Sequence, residues 1–117
     1  MALPINAQNV PVVISAGTSL STLGAIGAMQ LCGILSDSEW TPEAISLQTS
    51  FDGDTFVPVV GIGGTLSLGT LAASTFMALD PEIFRGPNIF AVQSGAAGSG
   101  VDQTNTTTLM LVCRPVL

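Results

Sequence analysis

The stretch that decides the fold is WTPEAISLQTSFDGDTF, residues 40–56. Within it, residues 45–51 alternate larger apolar or β-branched side chains with Ser and Gln. This two-residue period is typical of a strand with one face toward a core and the other toward water or a neighbour. Asp52-Gly53 comes next, and Asp-Gly supplies the positive φ angles that tight hairpins need. The stretch therefore predicts a strand and a hairpin turn, with the flanking Phe51 and Phe56 anchoring the strand ends.

The acidic turn Asp52-Gly53-Asp54 also has a ligand-binding interpretation. Oxygen donors placed this close together are of the kind that helps to bind Ca²⁺. The spacing, however, lacks the long loop and the bidentate Glu of a strong calcium motif. We therefore expect a turn without a metal, and a calcium-stabilised turn is the weaker alternative.

The rest of the chain repeats one simple pattern. A short apolar or β-branched run closed by Gly, Pro, Asp or Asn recurs about every ten residues, which is typical of a β-sandwich or barrel. The length of 117 residues is enough for one domain with a real core and too short for two of ordinary size. We therefore expect an all-β, single-domain β-sandwich of about eight strands. These strands cover residues 10–15, 30–35, 45–51, 56–60, 65–68, 75–79, 88–93 and 107–114.

The N-terminus is expected to lie outside this sandwich. Pro4 and Pro11 keep the segment around them extended. We therefore divide the chain into an extended N-terminal arm, residues 1–9, and a β-sandwich domain, residues 10–117. The arm has neither a basic start nor a continuous apolar block, so it does not resemble a secretory signal.

Three other segments have weaker patterns. Residues 17–29 stay unassigned, because their glycines weaken helix and strand alike. Residues 80–84 place an acidic residue before Pro, as at a first helical turn, and predict one short helix or 3₁₀ turn. Residues 93–106 are rich in Gly, Ser, Ala, Asn and Thr and predict a long loop.

The composition excludes several classes of partner. Two arginines face eight carboxylates, giving a net charge of -6, and there is no lysine to neutralise phosphates. Nucleic acid is therefore not an expected partner. The longest mainly apolar run, residues 23–35, contains Gln30 and three glycines. It is shorter than the roughly 20 residues of a spanning helix, so no membrane contact is expected. Only 9% of residues are charged, and a surface of small polar and apolar groups suits an assembly.

The chain also lacks the usual catalytic side chains. It has no histidine, lysine or tyrosine, so Ser and Cys would have no adjacent imidazole. The paired carboxylates, such as Glu39 and Glu43, are ordinary on an acidic surface. Cys32 and Cys113 lie inside apolar runs and are expected to be buried thiols, although one disulfide stays open. We expect no enzyme, no catalytic residues, no metal site and no cofactor.

Two side chains have both a structural and a contact interpretation. Trp40 either stacks on a sugar ring or plugs the end of the sandwich, and the plug is favoured for a lone tryptophan. Arg85, beside Phe84, is either part of a buried ion pair or an anchor at an assembly interface, and neither alternative is preferred.

The order of motifs along the chain resembles a known class. ISAGTSLS, LCGI, WTPEAISLQTSFDGDTFVPV, FMALDPEIFRGPNIFAVQSG and TLMLVCRPV follow one another over residues 11–117. Together they resemble small virion proteins of tailed bacteriophages, some of which are capsid decoration or cement proteins. Residues 40–56 also resemble part of the discoidin or galactose-binding-like β-sandwich.

The resemblance implies a jelly-roll-like body on the outer surface of a phage head. Such a protein is expected to be a homotrimer, made in the bacterial host cytoplasm, that binds the major capsid protein and stabilises contacts between capsid subunits. Its candidate interface comprises Pro4, Ile5, Val10, Phe84 and Arg85. The alternative is a glycan- or receptor-binding module of a tail or head fibre, with Trp40 or the 93–106 loop as the contact.

Overall fold

All regular structure in the described part of the chain is β-strand. The computed structural model describes residues 8–27, 29–61, 64–65, 68–80 and 89–115. The strands in these ranges are β1 (Gln8–Ile14), β2 (Gly24–Ala25), β3 (Met29–Leu35), β4 (Glu43–Thr49), β5 (Val57–Pro58), β6 (Val60–Gly61), β7 (Gly64–Thr65), β8 (Thr70–Leu71), β9 (Phe76–Ala78), β10 (Ile89–Ala96), β11 (Ser99–Gly100) and β12 (Thr107–Pro115). Within these ranges, no helix has the length and apolarity that crossing a membrane requires. The all-β prediction is confirmed.

The main strands form two antiparallel sheets. The first sheet has the order β1-β12-β3-β9. In the second, β4 lies between β5 and β10, while β2 and β11 pair with β10. Apart from the β4–β5 hairpin, successive main strands alternate between the sheets. The order β1-β12-β3-β9 facing β2-β10-β4-β5 is that of two Greek keys in a jelly roll. The prediction of a single-domain, jelly-roll-like β-sandwich is therefore confirmed.

The core lies between the two sheets and follows the strand period. In β12, Thr107, Leu109, Leu111 and Cys113 are buried and the residues between them are less so, because successive side chains point to opposite faces. The buried apolar side chains of the core are Val12, Ile14, Ile26, Leu31, Ile34, Trp40, Ile45, Leu47, Leu71, Phe90, Val92, Leu109, Leu111 and Cys113.

Strand β1 begins earlier than predicted. Gln8 and Asn9 pair with Cys113 and Val112 of β12. These two residues therefore belong to the sheet, and the predicted boundary of the arm after residue 9 is wrong for them. The hydrogen-bonding partners of β12 hold them in register. The arm residues before Gln8 lie outside the described residues.

The outer edge of β1 is partly closed. The Val13 N–H donates to the Thr22 hydroxyl at 3.0 Å, and the Val13 carbonyl accepts from the Thr22 N–H at 2.9 Å. Val13 thus turns its backbone polar groups away from β12. Pro11, two residues earlier, has the same orientation, so its missing N–H removes no bond to β12. This explains how β1, the edge strand of the first sheet, contains a proline.

The unassigned glycine-rich segment is an irregular strand along β10. The Ser21 N–H donates to the Val92 carbonyl at 2.9 Å, and the Ser94 N–H donates to the Ser19 carbonyl at 2.7 Å. Leu20 forms an isolated bridge with Gln93 between them. The backbone of the segment, more than its side chains, fixes its place in the second sheet.

The predicted loop over residues 93–106 is wrong in its first half. Strand β10 continues to Ala96 and pairs with β11, with Gly95 opposite Gly100. Small residues permit this tight ribbon although they give little strand signal in the sequence. The short helix predicted over residues 80–84 falls mostly on positions outside the described residues.

Candidate functional site

The β4–β5 hairpin is held by the carboxylate of Asp52. Its Oδ1 accepts from the backbone N–H groups of Asp54 at 2.9 Å and Thr55 at 2.8 Å, and from the Ser50 hydroxyl at 3.0 Å. The N–H of Gly53 donates to the Ser50 hydroxyl at 2.9 Å, and Gly53 has a φ of 84°. This conformation suits glycine, since other residues are strained at such an angle. The acidic stretch is therefore a turn of the Asx type.

The hydrogen bonds of this turn also fix the charge on Asp52. The N–H groups of Thr55 and Asp54, followed by the Ser50 hydroxyl, lower the pKa of Asp52 to about 2. These donors favour the ionised form because they bond to it directly. In the described ranges, no group of three or more His, Cys, Asp or Glu side chains is placed to hold a metal ion. At this site the structure shows a carboxylate that accepts hydrogen bonds from the backbone of its own turn.

The same hairpin presents an apolar tip to solvent. Phe51 is 78% exposed and Val57 is 46% exposed. Together with Thr49, Ser50, Asp52 and Thr55 they line an open cavity of about 280 Å³. We call Phe51, Val57 and the turn between them the hairpin knob. The prediction that Phe51 anchors the strand end is wrong, because the strand stops at Thr49 and the turn directs the ring outward.

Trp40 lies in the core. Its side chain is 2% exposed, and the indole Nε1 donates to the Leu71 carbonyl at 2.8 Å. A ring without an open face cannot stack on a sugar. The glycan-contact interpretation of Trp40 is therefore wrong, and the plug interpretation describes its position.

The predicted interface residues are only partly covered by the described ranges. Val10 is half-buried in β1, pairs with Leu111 and packs against the core. It is therefore a sheet residue packed against the core, and its role at a protein interface stays a prediction. Pro4, Ile5, Phe84 and Arg85 lie outside the described residues, so their role stays a prediction.

A second exposed apolar region was missed in the sequence. It is the outer face of the first sheet, on the side away from the core. We call it the apolar sheet face. Its apolar members are Pro11 and Val13 of β1, Met110 and Val112 of β12, Gly33 and Leu35 of β3, and Phe76 and Ala78 of β9, and the polar Asn9 and Thr108 share the same orientation.

The largest side chain of the apolar sheet face lies across a glycine. A Cβ built on Gly33 would come within 2.3 Å of the Phe76 ring, so the ring covers the Gly33 backbone. Phe76 nevertheless remains 50% exposed, and its cross-strand partner Leu35 is 37% exposed. The sequence did contain a sign of this face, because apolar residues occur in both alternating series of β12, at Leu109 and Leu111 and at Met110 and Val112. This pattern predicts a strand buried on both faces, yet only one face of the first sheet meets the core.

The second sheet differs on its outer face. There Gln48 donates through its amide to the Gln93 side chain at 2.7 Å, and the Ser46 hydroxyl donates to the Gly95 carbonyl at 3.0 Å. Polar side chains thus satisfy one another across β4 and β10. The two outer faces of the sandwich are therefore chemically different, and the first sheet carries the apolar one.

Gln103 is a buried polar residue that no pattern in the sequence indicates. It is 1% exposed, and its amide donates to the Thr41 carbonyl at 3.1 Å and the Ser94 hydroxyl at 2.9 Å. Its Oε1 accepts from the Thr41 N–H at 2.8 Å. The backbone of Gln103 also bonds to Gly17 and Thr18. The side chain therefore joins the loop around Thr41 to strand β10, and the backbone of Gln103 joins its own loop to the loop around Gly17.

The two cysteines are free thiols. Cys113 is fully buried and Cys32 is half-buried. Burial, with a smaller contribution from nearby Cys32, raises the pKa of the Cys113 thiol to about 11. The thiolate is the reactive form of cysteine, so Cys113 is held in an unreactive state near neutral pH.

Comparisons with known proteins add no identification to this geometry. No protein-family model matches the chain, and neither a curated protein nor a solved structure matches it significantly. The family resemblance noted in the sequence therefore stays a prediction. The function has to be argued from the fold and from the two exposed apolar regions, the hairpin knob and the apolar sheet face.

Proposed function

We propose that this chain is a structural virion protein that decorates the outer surface of a tailed-phage head and stabilises contacts between capsid subunits. The observation that carries the proposal is the hairpin knob, where Phe51 is 78% exposed on an ordered turn. The resemblance of residues 11–117 to small phage virion proteins gives the proposal its context. Jelly rolls also occur in viral capsid domains, which is an argument from fold analogy alone.

The hairpin knob has the properties of a protein-binding anchor. Aromatic side chains that enter a pocket on a partner dominate the binding energy of many interfaces. Here the Asp52 carboxylate fixes the turn beside Phe51 through three hydrogen bonds. Little conformational freedom is therefore left to lose on binding. The expected partner surface is an apolar pocket, and basic groups at its rim would complement Asp52 and Asp54.

The expected partner is the major capsid protein, and the expected form on the head surface is a homotrimer. A trimer would present three knobs to neighbouring capsid subunits. Each further contact would form at a high effective concentration, so weak single contacts would give tight attachment. The proposal requires no catalytic group and no cofactor.

The glycan-binding alternative loses its principal residue. Trp40 is 2% exposed, so only the 93–106 loop remains as its predicted contact. We therefore do not develop it further.

The first test substitutes the anchor. We expect Phe51→Ala to weaken binding to purified heads that lack this protein by about tenfold or more, the loss typical of a buried aromatic anchor. Binding is measured by co-sedimentation of the purified protein with heads at increasing protein concentration. Leu23→Ala is the matched control, because Leu23 is also exposed, at 49%, and lies outside the hairpin knob.

Two results would contradict the proposal. Equal binding of the wild type and Phe51→Ala would exclude the hairpin knob as the anchor. A second measurement tests the wider role, namely the copy number of this protein in purified virions relative to the major capsid protein. A shell-covering protein is present in comparable numbers, and complete absence from virions would exclude the virion function itself.

A further inference from the structure

The apolar sheet face is exposed at Pro11 and along its β3–β9 side, and it is half-buried along β12. Phe76 is 50% exposed and Leu35 is 37% exposed, and Pro11 and Ala78 are exposed as well. A contiguous apolar region of this kind on a soluble protein usually marks an interaction surface. The polar outer face of the second sheet has no comparable feature in the described residues.

The described carboxylates lie outside the strands of this face, whereas Arg114 follows Val112 in the same outward-facing series of β12. The described carboxylates follow β3, lie at the start of β4, lie in the hairpin turn, or follow β9 and β11; they are Asp37, Glu39, Glu43, Asp52, Asp54, Asp80 and Asp102. In the four strands of the first sheet, Arg114 near the end of β12 is the one charged residue. Two copies of a chain with net charge -6 can therefore join these faces without bringing carboxylates together.

Edge-to-edge pairing is disfavoured at the β1 edge of the first sheet. At β1 the sheet edge is blunted, since Thr22 occupies the polar groups of Val13 and Pro11 offers no N–H. Pro and covered edges are common features that prevent strand addition. Two apolar sheet faces, by contrast, pack well against each other at about 10 Å separation.

We infer that the apolar sheet face is a self-association surface, covered in solution by the same face of a second copy of this chain. An isologous contact of this kind uses one surface on both partners and closes as a dimer. The inference does not depend on capsid binding, since it concerns the isolated protein.

The size of the face sets the expected affinity. The four strands contain 7, 7, 3 and 9 residues, and at about 4.8 Å between strands and about 3.3 Å per residue they give a face of roughly 400 Å². Stable specific interfaces bury about 800 Å² on each partner. We therefore expect a weak dimer, with a dissociation constant on the order of 100 µM.

The test is sedimentation equilibrium of the intact protein from about 10 µM to about 1 mM, a range chosen to bracket this affinity. We expect the mass to rise with concentration toward that of a dimer. Phe76→Glu places a charge in the face and should weaken self-association at least tenfold. Leu23→Glu, the same change at an exposed position outside the face, should leave it unchanged. Leu35→Gln is the milder second variant if Phe76→Glu does not fold, which circular dichroism will show.

Three results would overturn the inference. They are a wild type that stays monomeric throughout the range, an oligomer that both face variants leave intact, and an oligomer that dissociates when residues 1–7 are deleted. The last would mean that the N-terminal arm joins the copies. A capsid function could still hold in each case, because Phe51→Ala tests head binding independently.

Discussion

Trp40 shows how one side chain determines both stability and function at the residue scale. The indole is buried against the core, and its N–H is paired with the Leu71 carbonyl at 2.8 Å. The side chain therefore contributes its apolar area and satisfies a carbonyl inside the sandwich. Both contributions are structural, and neither leaves the ring available to a ligand.

Replacing this tryptophan should destabilise the protein measurably. Trp40→Phe keeps an aromatic ring but removes the N–H and part of the volume. An unpaired buried carbonyl and a small cavity together cost about 2 to 4 kcal/mol. The measurement is urea unfolding followed by circular dichroism. Because Trp40 is the sole tryptophan, the wild-type fluorescence gives a second check, and acrylamide should quench it poorly. Strong quenching, or equal stability of the variant, would contradict the buried position.

Gln103 also has a structural role through its buried side chain, but no pattern in the sequence indicates that role. An isolated glutamine in a polar segment is normally exposed, and nothing in its neighbours indicates that three loops meet around it. Only the topology brings Thr41 and Ser94 to its amide. Its importance therefore comes from tertiary structure.

The stability contribution of Gln103 can be tested against another glutamine. Gln103→Leu keeps a similar length but leaves the Thr41 N–H and carbonyl without their partner. The buried Ser94 hydroxyl also loses its partner. An unsatisfied buried group costs about 1 to 3 kcal/mol and the part-buried Thr41 groups cost less each, so we expect a loss of about 2 kcal/mol in urea unfolding. Gln8→Leu, at an exposed position, should change the stability by less than about 0.5 kcal/mol. Similar effects at both positions would argue against the buried network.

At the scale of elements, the sequence predicted the strands that contain large apolar side chains in a regular pattern. It did not predict the segments whose position depends on backbone hydrogen bonds. Strands β3, β4 and β12 were placed within two residues of their observed ends, because the buried apolar side chains of β4 and β12 repeat every second residue and β3 is a short apolar run. The segment along β10 consists of small residues, and its place depends on backbone bonds such as Ser21 to Val92. Phe51 continued the alternation in the sequence, but the backbone turned at Ser50 and exposed its ring.

The candidate site was less predictable than the strands for a related reason. An apolar residue in the sequence does not reveal whether a second sheet covers it. Met110 and Val112 have the composition of core residues, yet they lie on the side of the first sheet away from the second sheet. The fold class follows from local periodicity, whereas exposed apolar surfaces depend on how the sheets are stacked.

At the scale of the whole molecule, two carboxylates, Asp37 and Asp52, contribute to how the stability of the fold changes at acid pH. Asp37 joins the connection after β3 to the start of β12, accepting from the Thr107 hydroxyl at 2.5 Å and the Thr108 N–H at 2.9 Å. Burial acts to raise the pKa of Asp37, but these hydrogen bonds and that from Glu39 lower it below its ordinary value of 3.8. The pKa of Asp52 is lowered in the same direction, to about 2.

This arrangement gives the pH dependence a defined sign. A carboxylate whose folded pKa lies below its unfolded pKa binds protons more weakly in the folded state. Its contribution to stability is therefore complete above the unfolded value, 3.8 for these groups, and is lost as the pH falls toward the folded value. The free energy of unfolding should be nearly constant from neutral pH to about pH 4 and fall steeply from there to about pH 2.

The role of Asp37 in this transition can be separated from the general effect of acid. Asp37→Asn replaces one acceptor oxygen by an amide, which places a donor opposite the Thr108 N–H. The variant should be less stable than the wild type at pH 7, and its stability should fall less between about pH 4 and pH 2, since one titrating carboxylate has been removed. Asp102→Asn, the same change at an exposed position, serves as the control. Urea unfolding at a series of pH values gives the slopes, and parallel curves for the wild type and Asp37→Asn would show that this carboxylate does not link the two strands.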